Sequence, residues 1–78
     1  MTDKDAPRVI DARGLEPPEP MVRTMDALDH LGPGEELLVL LPREPFPLYR
    51  ALELNGFSWL TTCHPDGTVE VLIRHQTR

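Results

Sequence analysis

The sequence contains only one cysteine, Cys63, and its charged residues are predominantly acidic. A single cysteine cannot form a disulfide within the chain and does not suggest a cysteine-rich zinc site. There are 13 Asp and Glu residues against 8 Lys and Arg residues, for a net charge of −5. This balance excludes nucleic acid as the expected partner, because phosphates require a basic surface.

Long hydrophobic runs are also missing. No apolar stretch approaches the ~20 residues that a helix needs to cross a bilayer, so we expect no membrane partner. The polar start of the chain lacks the apolar segment of a signal peptide, and we therefore expect a cytoplasmic protein. The 78 residues are predicted to form one domain over residues 8–75, between a flexible leader at 1–7 and a tail at 76–78.

The apolar pattern and the turn signals predict the element order β-α-β-α-β-β. Strands are expected at 9–12, 37–41, 57–63 and 68–74, and helices are expected to begin near Pro17 and Pro47. Right-handed crossover connections place both helices on the same face of the sheet. We therefore predict an α/β fold of the α+β two-layer sandwich type, with a mixed four-stranded sheet.

Five consecutive apolar residues at 37–41 predict a strand that is buried on both faces or is covered at an oligomer interface. A central strand in a monomer explains the same residues. The sequence therefore leaves both a monomer and a homodimer open.

The stretch from Asp11 to Pro20 reads Asp-Ala-Arg-Gly-Leu-Glu-Pro-Pro-Glu-Pro. It resembles the signature of the TusA/SirA-like sulfur-carrier superfamily, Asp-x-Arg-Gly-Leu-x-Cys-Pro-x-Pro. Pro17 stands where that superfamily has the cysteine that carries sulfur, and proline has no thiol. The chain is most similar to the domain-of-unknown-function branch, whose members read Gly-Leu-x-Pro-Pro-x-Pro. The resemblance implies a TusA-like fold that lacks the carrier chemistry.

The resemblance also suggests a class of function. It implies a non-catalytic protein-binding or regulatory domain, linked to redox or sulfur/nitrogen-oxide metabolism because members of this branch often accompany hemerythrin-like domains. The sequence contains no Gly-rich phosphate loop and no nucleophile elbow. We therefore expect no enzyme activity and no cofactor, and a protein partner whose identity the sequence does not give.

Two segments are candidates for binding that partner: the turn before the first helix, and the loop that opens the second. The recognition surface would consist of the rigid, exposed prolines and the pair of Asp11 and Arg13, in which Arg13 could bind a partner carboxylate with two hydrogen bonds. Phe46 and Tyr49 offer an apolar patch. The alternatives are a purely structural turn and a Phe46 that closes the core. The candidate residues are Asp11, Arg13, Gly14, Leu15, Glu16, Pro17, Pro18, Glu19, Pro20, Phe46 and Tyr49.

Two other functions remain open. In the first, Cys63 replaces the missing carrier cysteine and the protein transfers sulfur. In the second, His64, His75 and Cys63 form a small metal- or haem-binding module, since the two histidines flank the last hairpin and could approach each other across it. No ligand spacing of the H-x₃-H or C-x₂-C kind is present, so we expect no metal.

Overall fold

The computed structural model describes residues 8–76. Its elements follow the order predicted from the sequence: β1 (Arg8–Asp11), α1 (Glu19–Leu28), β2 (Glu36–Leu41), α2 (Phe46–Leu54), β3 (Phe57–Cys63) and β4 (Val69–His75). The expected leader at 1–7 and residues 77–78 of the expected tail lie outside the described residues. Neither helix of the described part is long and apolar enough to cross a membrane.

The four strands form one mixed sheet in the order β1-β2-β4-β3. β1 lies parallel to β2, whereas β4 is antiparallel to both of its neighbours, β2 and β3. This confirms the predicted α/β fold with a mixed four-stranded sheet. Because β2 and β4 occupy the centre, β1 and β3 form the two edges.

The core lies between the two helices and one face of the sheet. β2 contributes Leu37, Val39 and Leu41, and β4 contributes Val69, Val71 and Ile73. Leu28 of α1 and Leu48 and Leu52 of α2 complete the same cluster. These side chains alternate along each strand, as expected when only one face of a sheet is covered.

Of the alternatives for residues 37–41, burial on both faces within one copy of the chain is wrong. Burial alternates along β2, and Leu38 and Leu40 are only half-buried. Their side chains lie on the face that carries no helix, which we call the open face. The apolar run therefore reflects a central strand with one covered face, together with an open face that is itself partly apolar.

Proline begins both helices. Pro18 and Pro45 occupy the N-cap positions, and each helix has a further proline in its first turn, Pro20 in α1 and Pro47 in α2. Proline suits these positions because the first N–H groups of a helix have no partner within it. α1 ends at Leu28, and two short-range backbone bonds continue the chain in a tight turn to Leu31.

One buried polar atom in the core has no hydrogen-bond partner. Thr24 of α1 is fully buried, and its hydroxyl contacts neither a donor nor an acceptor. Burying an unpaired hydroxyl costs about 1–3 kcal/mol. The methyl group and backbone of Thr24 thus suit the core, while its hydroxyl opposes folding.

We therefore expect Thr24→Val to raise the free energy of unfolding by about 1 kcal/mol, because it keeps the shape and removes the unpaired group. Urea denaturation followed by circular dichroism measures the change. Thr62→Val is the control: Thr62 is exposed, so its substitution should change stability by less than about 0.5 kcal/mol. Equal effects of the two substitutions would contradict this account of Thr24.

Candidate functional site

The turn between β1 and α1 is anchored to the sheet at its first residue. Ala12 is fully buried, and its N–H donates to the carbonyl of Leu40 at 2.8 Å. The N–H of Leu15 then donates to the carbonyl of Ala12 at 3.2 Å, and the Leu15 side chain packs against the core. Gly14 and Glu16 are exposed. The signature residues therefore fix the turn at both ends and present its middle to solvent.

The prolines leave no free N–H donor at the start of α1 between residues 17 and 20. Pro17, Pro18 and Pro20 have no N–H at all, and the peptide bond between Pro17 and Pro18 is cis. The N–H of Glu19 donates to the carbonyl of Glu16 at 2.9 Å. A helix N-terminus normally binds anions through such donors, and residues 17–20 offer none at the start of α1.

The start of α2 is built in the same way. Pro45 and Pro47 lack N–H groups. The N–H of Phe46 donates to the carbonyl of Glu44 at 3.2 Å, and that of Leu48 donates to the carbonyl of Pro45 at 3.0 Å. Both helix N-termini thus present mainly hydrocarbon and few backbone donors.

These two helix starts meet at a groove on the helix side of the sheet, which we call the proline groove. Its volume is about 170 Å³, and no charged side chain lines it. Five of its lining residues are prolines, and the floor includes the last residue of β2. The lining residues are Pro17, Pro18, Pro20, Met21, Leu41, Pro45, Pro47 and Leu48. The groove therefore joins the two segments that the sequence suggests for partner binding.

Arg13 lies apart from this groove and already holds a carboxylate of its own chain. Its Nε donates to Asp11 Oδ1 at 2.9 Å and its Nη2 donates to Asp11 Oδ2 at 2.8 Å. Arg13 also lines a polar cavity of about 410 Å³ with Leu40, a residue of the open face. The structure thus contains the pair of Asp11 and Arg13, and docking of a partner carboxylate by Arg13 stays a prediction.

Phe46 and Tyr49 belong to a third surface. Tyr49 stacks on Trp59 of β3 with ring centroids 5.3 Å apart, and Phe46 meets Tyr49 edge-on at 5.9 Å. Tyr49 is half-buried rather than outward, and Phe46 is 66% exposed, so it does not close the core. Trp59 is not among the candidate residues from the sequence, because its contact with Tyr49 requires α2 to lie over β3.

The hydroxyl of Tyr49 ties α2 to β3. It lies 2.7 Å from Thr61 Oγ1 and donates to Glu44 Oε2 at 3.1 Å. Desolvation raises the pKa of Tyr49 above its usual value, and the nearby charges of Glu44 and Cys63 act in the same direction. Tyr49 is therefore neutral at neutral pH, and its hydroxyl connects α2 to β3.

The other candidate residues are dispersed. Cys63 is an exposed free thiol at the end of β3, and Glu19 pairs with Arg23 at 3.0 Å. His64 Nε2 lies 3.0 Å from Glu70 Oε2 beside the hairpin turn. His75, at the opposite end of the hairpin, donates from Nε2 to the carbonyl of Leu31 at 2.7 Å.

The histidines do not approach each other across the hairpin. Phe57 pairs with His75 and Cys63 with Val69, so the strand length separates the two histidines by about 20 Å. Over residues 8–76 no group of three or more His, Cys, Asp or Glu residues is placed to hold a metal ion. His64, His75 and Cys63 therefore do not form one site within a single copy of the chain.

The sheet order, the two helices and the proline-bearing turn define a TusA/SirA-like α/β sandwich in which proline stands at the position of the carrier cysteine. The family model of the uncharacterized conserved protein DUF2249 matches residues 9–75, and the chain belongs to this family. The crystal structure of a SirA-like protein from Desulfitobacterium hafniense is similar, with a TM-score of 0.78 and 28% sequence identity. That match covers 88% of this chain and 97% of the other. A comparison with curated proteins gives no match.

The ion pair between Asp11 and Arg13 should make the stability of the fold depend on pH. The hydrogen bond from the Arg13 side chain, assisted by the Arg13 backbone N–H, lowers the pKa of Asp11 from 3.8 to about 2. A lowered pKa in the folded state stabilises the fold above pH 3.8, and this contribution is lost as the pH falls through about 2.

We therefore expect Arg13→Met to return the pKa of Asp11 toward 3.8, as measured by carboxyl ¹³C NMR titration. Asp66 serves as the internal reference: its pKa is lowered chiefly by the backbone N–H of Thr68 and least by Arg13, so its titration should shift much less than that of Asp11. An Asp11 titration that is unchanged in the variant would show that the pair does not form in solution.

Proposed function

We propose that the protein is a non-catalytic binding domain whose proline groove receives an apolar side chain of a partner protein. The observation that carries this proposal is the small number of N–H donors at the two helix starts. Five of the lining residues are prolines and the N–H of Leu48 donates to the carbonyl of Pro45, while Met21 retains its N–H in the wall. Beside the wall, the N–H groups of Glu19 and Phe46 donate to nearby carbonyls. A surface of this kind offers few hydrogen bonds to a phosphate, a carboxylate or a persulfide.

The size of the groove favours a single side chain over a small-molecule substrate. Ligand sites usually enclose about 300–1,000 Å³. A volume of about 170 Å³ is closer to the roughly 150 Å³ cavity that accommodates benzene in an engineered protein. We therefore propose that the groove takes one phenyl-sized or isobutyl-sized group, such as a Phe or Leu side chain.

Charge near the groove specifies the partner further. Glu16 and Glu19 are exposed and adjoin lining residues in the sequence, and the chain as a whole carries a net charge of −5. Negative charge beside the groove speeds the association of a basic partner and repels acidic proteins that would compete for the groove. The proposed partner segment therefore carries an apolar anchor flanked by basic residues.

The proposal assigns a smaller part to the other candidate residues. Asp11 and Arg13 stabilise the turn by pairing with each other, while Gly14, Leu15 and Glu16 shape it. Phe46 and Tyr49 hold the start of α2 against β3, and so position Pro45 and Pro47. A link to redox or sulfur/nitrogen-oxide metabolism rests on the family resemblance alone, and the groove does not specify it.

A photo-crosslinking experiment followed by affinity measurement tests this proposal. A photoreactive phenylalanine analogue at Glu16 captures the partner in cells, and the same analogue at Leu54, 76% exposed and not among the lining residues, gives the background. Calorimetry with the purified partner then compares two variants. Pro47→Glu introduces a charge into the groove wall, whereas Val22→Glu introduces it at an exposed position outside the wall.

We expect Pro47→Glu to weaken binding by more than tenfold, since burying an unpaired carboxylate costs well over the 1.4 kcal/mol that a factor of ten represents. Val22→Glu should change affinity by less than threefold. Glutamate is tolerated in the first turn of a helix, so both variants should fold, which circular dichroism checks. Equal affinity of the Pro47→Glu variant and the original protein would refute the groove as the binding site.

A further inference from the structure

The edge strand β3 is unusually open to pairing. It is seven residues long, and its sequence, Phe-Ser-Trp-Leu-Thr-Thr-Cys, contains no charged residue and no proline. The other edge strand, β1, has only four residues and carries Arg8 and Asp11. Proteins normally protect an edge by shortness, charge or proline, because unpaired backbone groups invite another strand. Within residues 8–76 no strand pairs with the outer side of β3.

The hydrogen bonds at both ends of the hairpin show which residues face this free edge. The N–H of His64 donates to the carbonyl of Thr68 at 2.8 Å, and that of Gln76 donates to the carbonyl of Gly56 at 3.0 Å. Hydrogen-bonded pairs alternate along an antiparallel ladder, so the even-numbered residues of β3 bond to β4. The backbone groups of Phe57, Trp59, Thr61 and Cys63 therefore point outward.

We propose that β3 pairs antiparallel with β3 of a second copy of this chain, about a two-fold axis at Leu60. This register places Trp59 opposite Thr61 of the second copy, and Phe57 opposite its Cys63. Every outward-facing residue is then matched with another outward-facing residue, so each exchanges both backbone hydrogen bonds. A shift by one residue would instead oppose outward-facing residues with inward-facing ones. The two sheets join into one continuous sheet of eight strands.

The side chains support the same register. Leu60 is 64% exposed and belongs to an apolar row on the open face, in which the strand register places Val9, Leu38, Leu72 and Leu60 side by side. At the axis Leu60 would meet Leu60 of the second copy in a close, non-hydrogen-bonded pair, and the row would continue across both copies.

No charge on β3 itself opposes this contact, and the acidic groups of Glu44 and Glu53 lie beside the strand on the helix side. The chain carries a net charge of −5, so two copies repel each other in general. β3 contributes no charge to the contact, and pairing therefore sets no like charges of this strand against each other. This inference does not depend on the proline groove, which lies at the starts of the two helices.

Light scattering coupled to size-exclusion chromatography tests the proposal on the full chain. We expect the protein to be a dimer, and Leu60→Lys to make it a monomer, because the two lysines would face each other at the axis. Val9→Lys is the matched control: Val9 is 58% exposed, belongs to the same apolar row and lies on the opposite edge strand. The control should remain a dimer.

Oxidative crosslinking tests the register. With Cys63 replaced by serine, Leu60→Cys should form a disulfide-linked dimer, since directly opposed residues in a non-hydrogen-bonded pair have Cα atoms about 4.5 Å apart. The native Cys63 should not crosslink, because the register sets it about 20 Å from Cys63 of the second copy.

Three results would overturn the proposal. A monomeric protein at every concentration would exclude the dimer. Loss of the dimer in both Leu60→Lys and Val9→Lys would assign the interface to the open face instead of the edge. Efficient crosslinking through the native Cys63, without crosslinking at position 60, would exclude the register.

Discussion

The parallel pairing of β1 with β2 determines where the candidate site forms. Each of these strands is followed by a helix, so both strand-to-helix turns emerge at the same end of the sheet. The helices return over one face, where β2 contributes the fully buried Leu37 and Val39. The starts of α1 and α2 are therefore brought side by side, and the groove between them is a consequence of topology.

Proline changes what this shared end of the sheet can bind. Two adjacent helix N-termini would ordinarily make a favourable place for an anion or a thiolate, because both present free N–H groups and the positive ends of their dipoles. Here the five prolines that line the groove remove N–H donors and cover the floor with hydrocarbon. The TusA/SirA-like scaffold remains, and its carrier position becomes part of an apolar surface.

Much of this arrangement could be predicted from the sequence, because it depends on local signals. Proline marked both helix starts, and the alternation of apolar residues marked β4. The groove could not be predicted, since it requires Pro18 and Pro45, far apart in the chain, to lie near each other. The free edge of β3 likewise required the strand order. The pairing of Arg13 with Asp11 is also local, because the two residues are only two positions apart in the chain.

The measurement that tests the central claim most directly is the thiol pKa of the Pro17→Cys variant in a Cys63→Ser background, read from the pH dependence of its alkylation rate. A cysteine here stands at the carrier position, with Pro18 and Pro20 still lacking N–H donors and Glu16 and Glu19 still nearby. We expect a pKa at or above the ordinary value of about 8.5. A pKa below about 7 would show that the helix start still stabilises a thiolate, and would contradict the conversion of this site into an apolar binding surface.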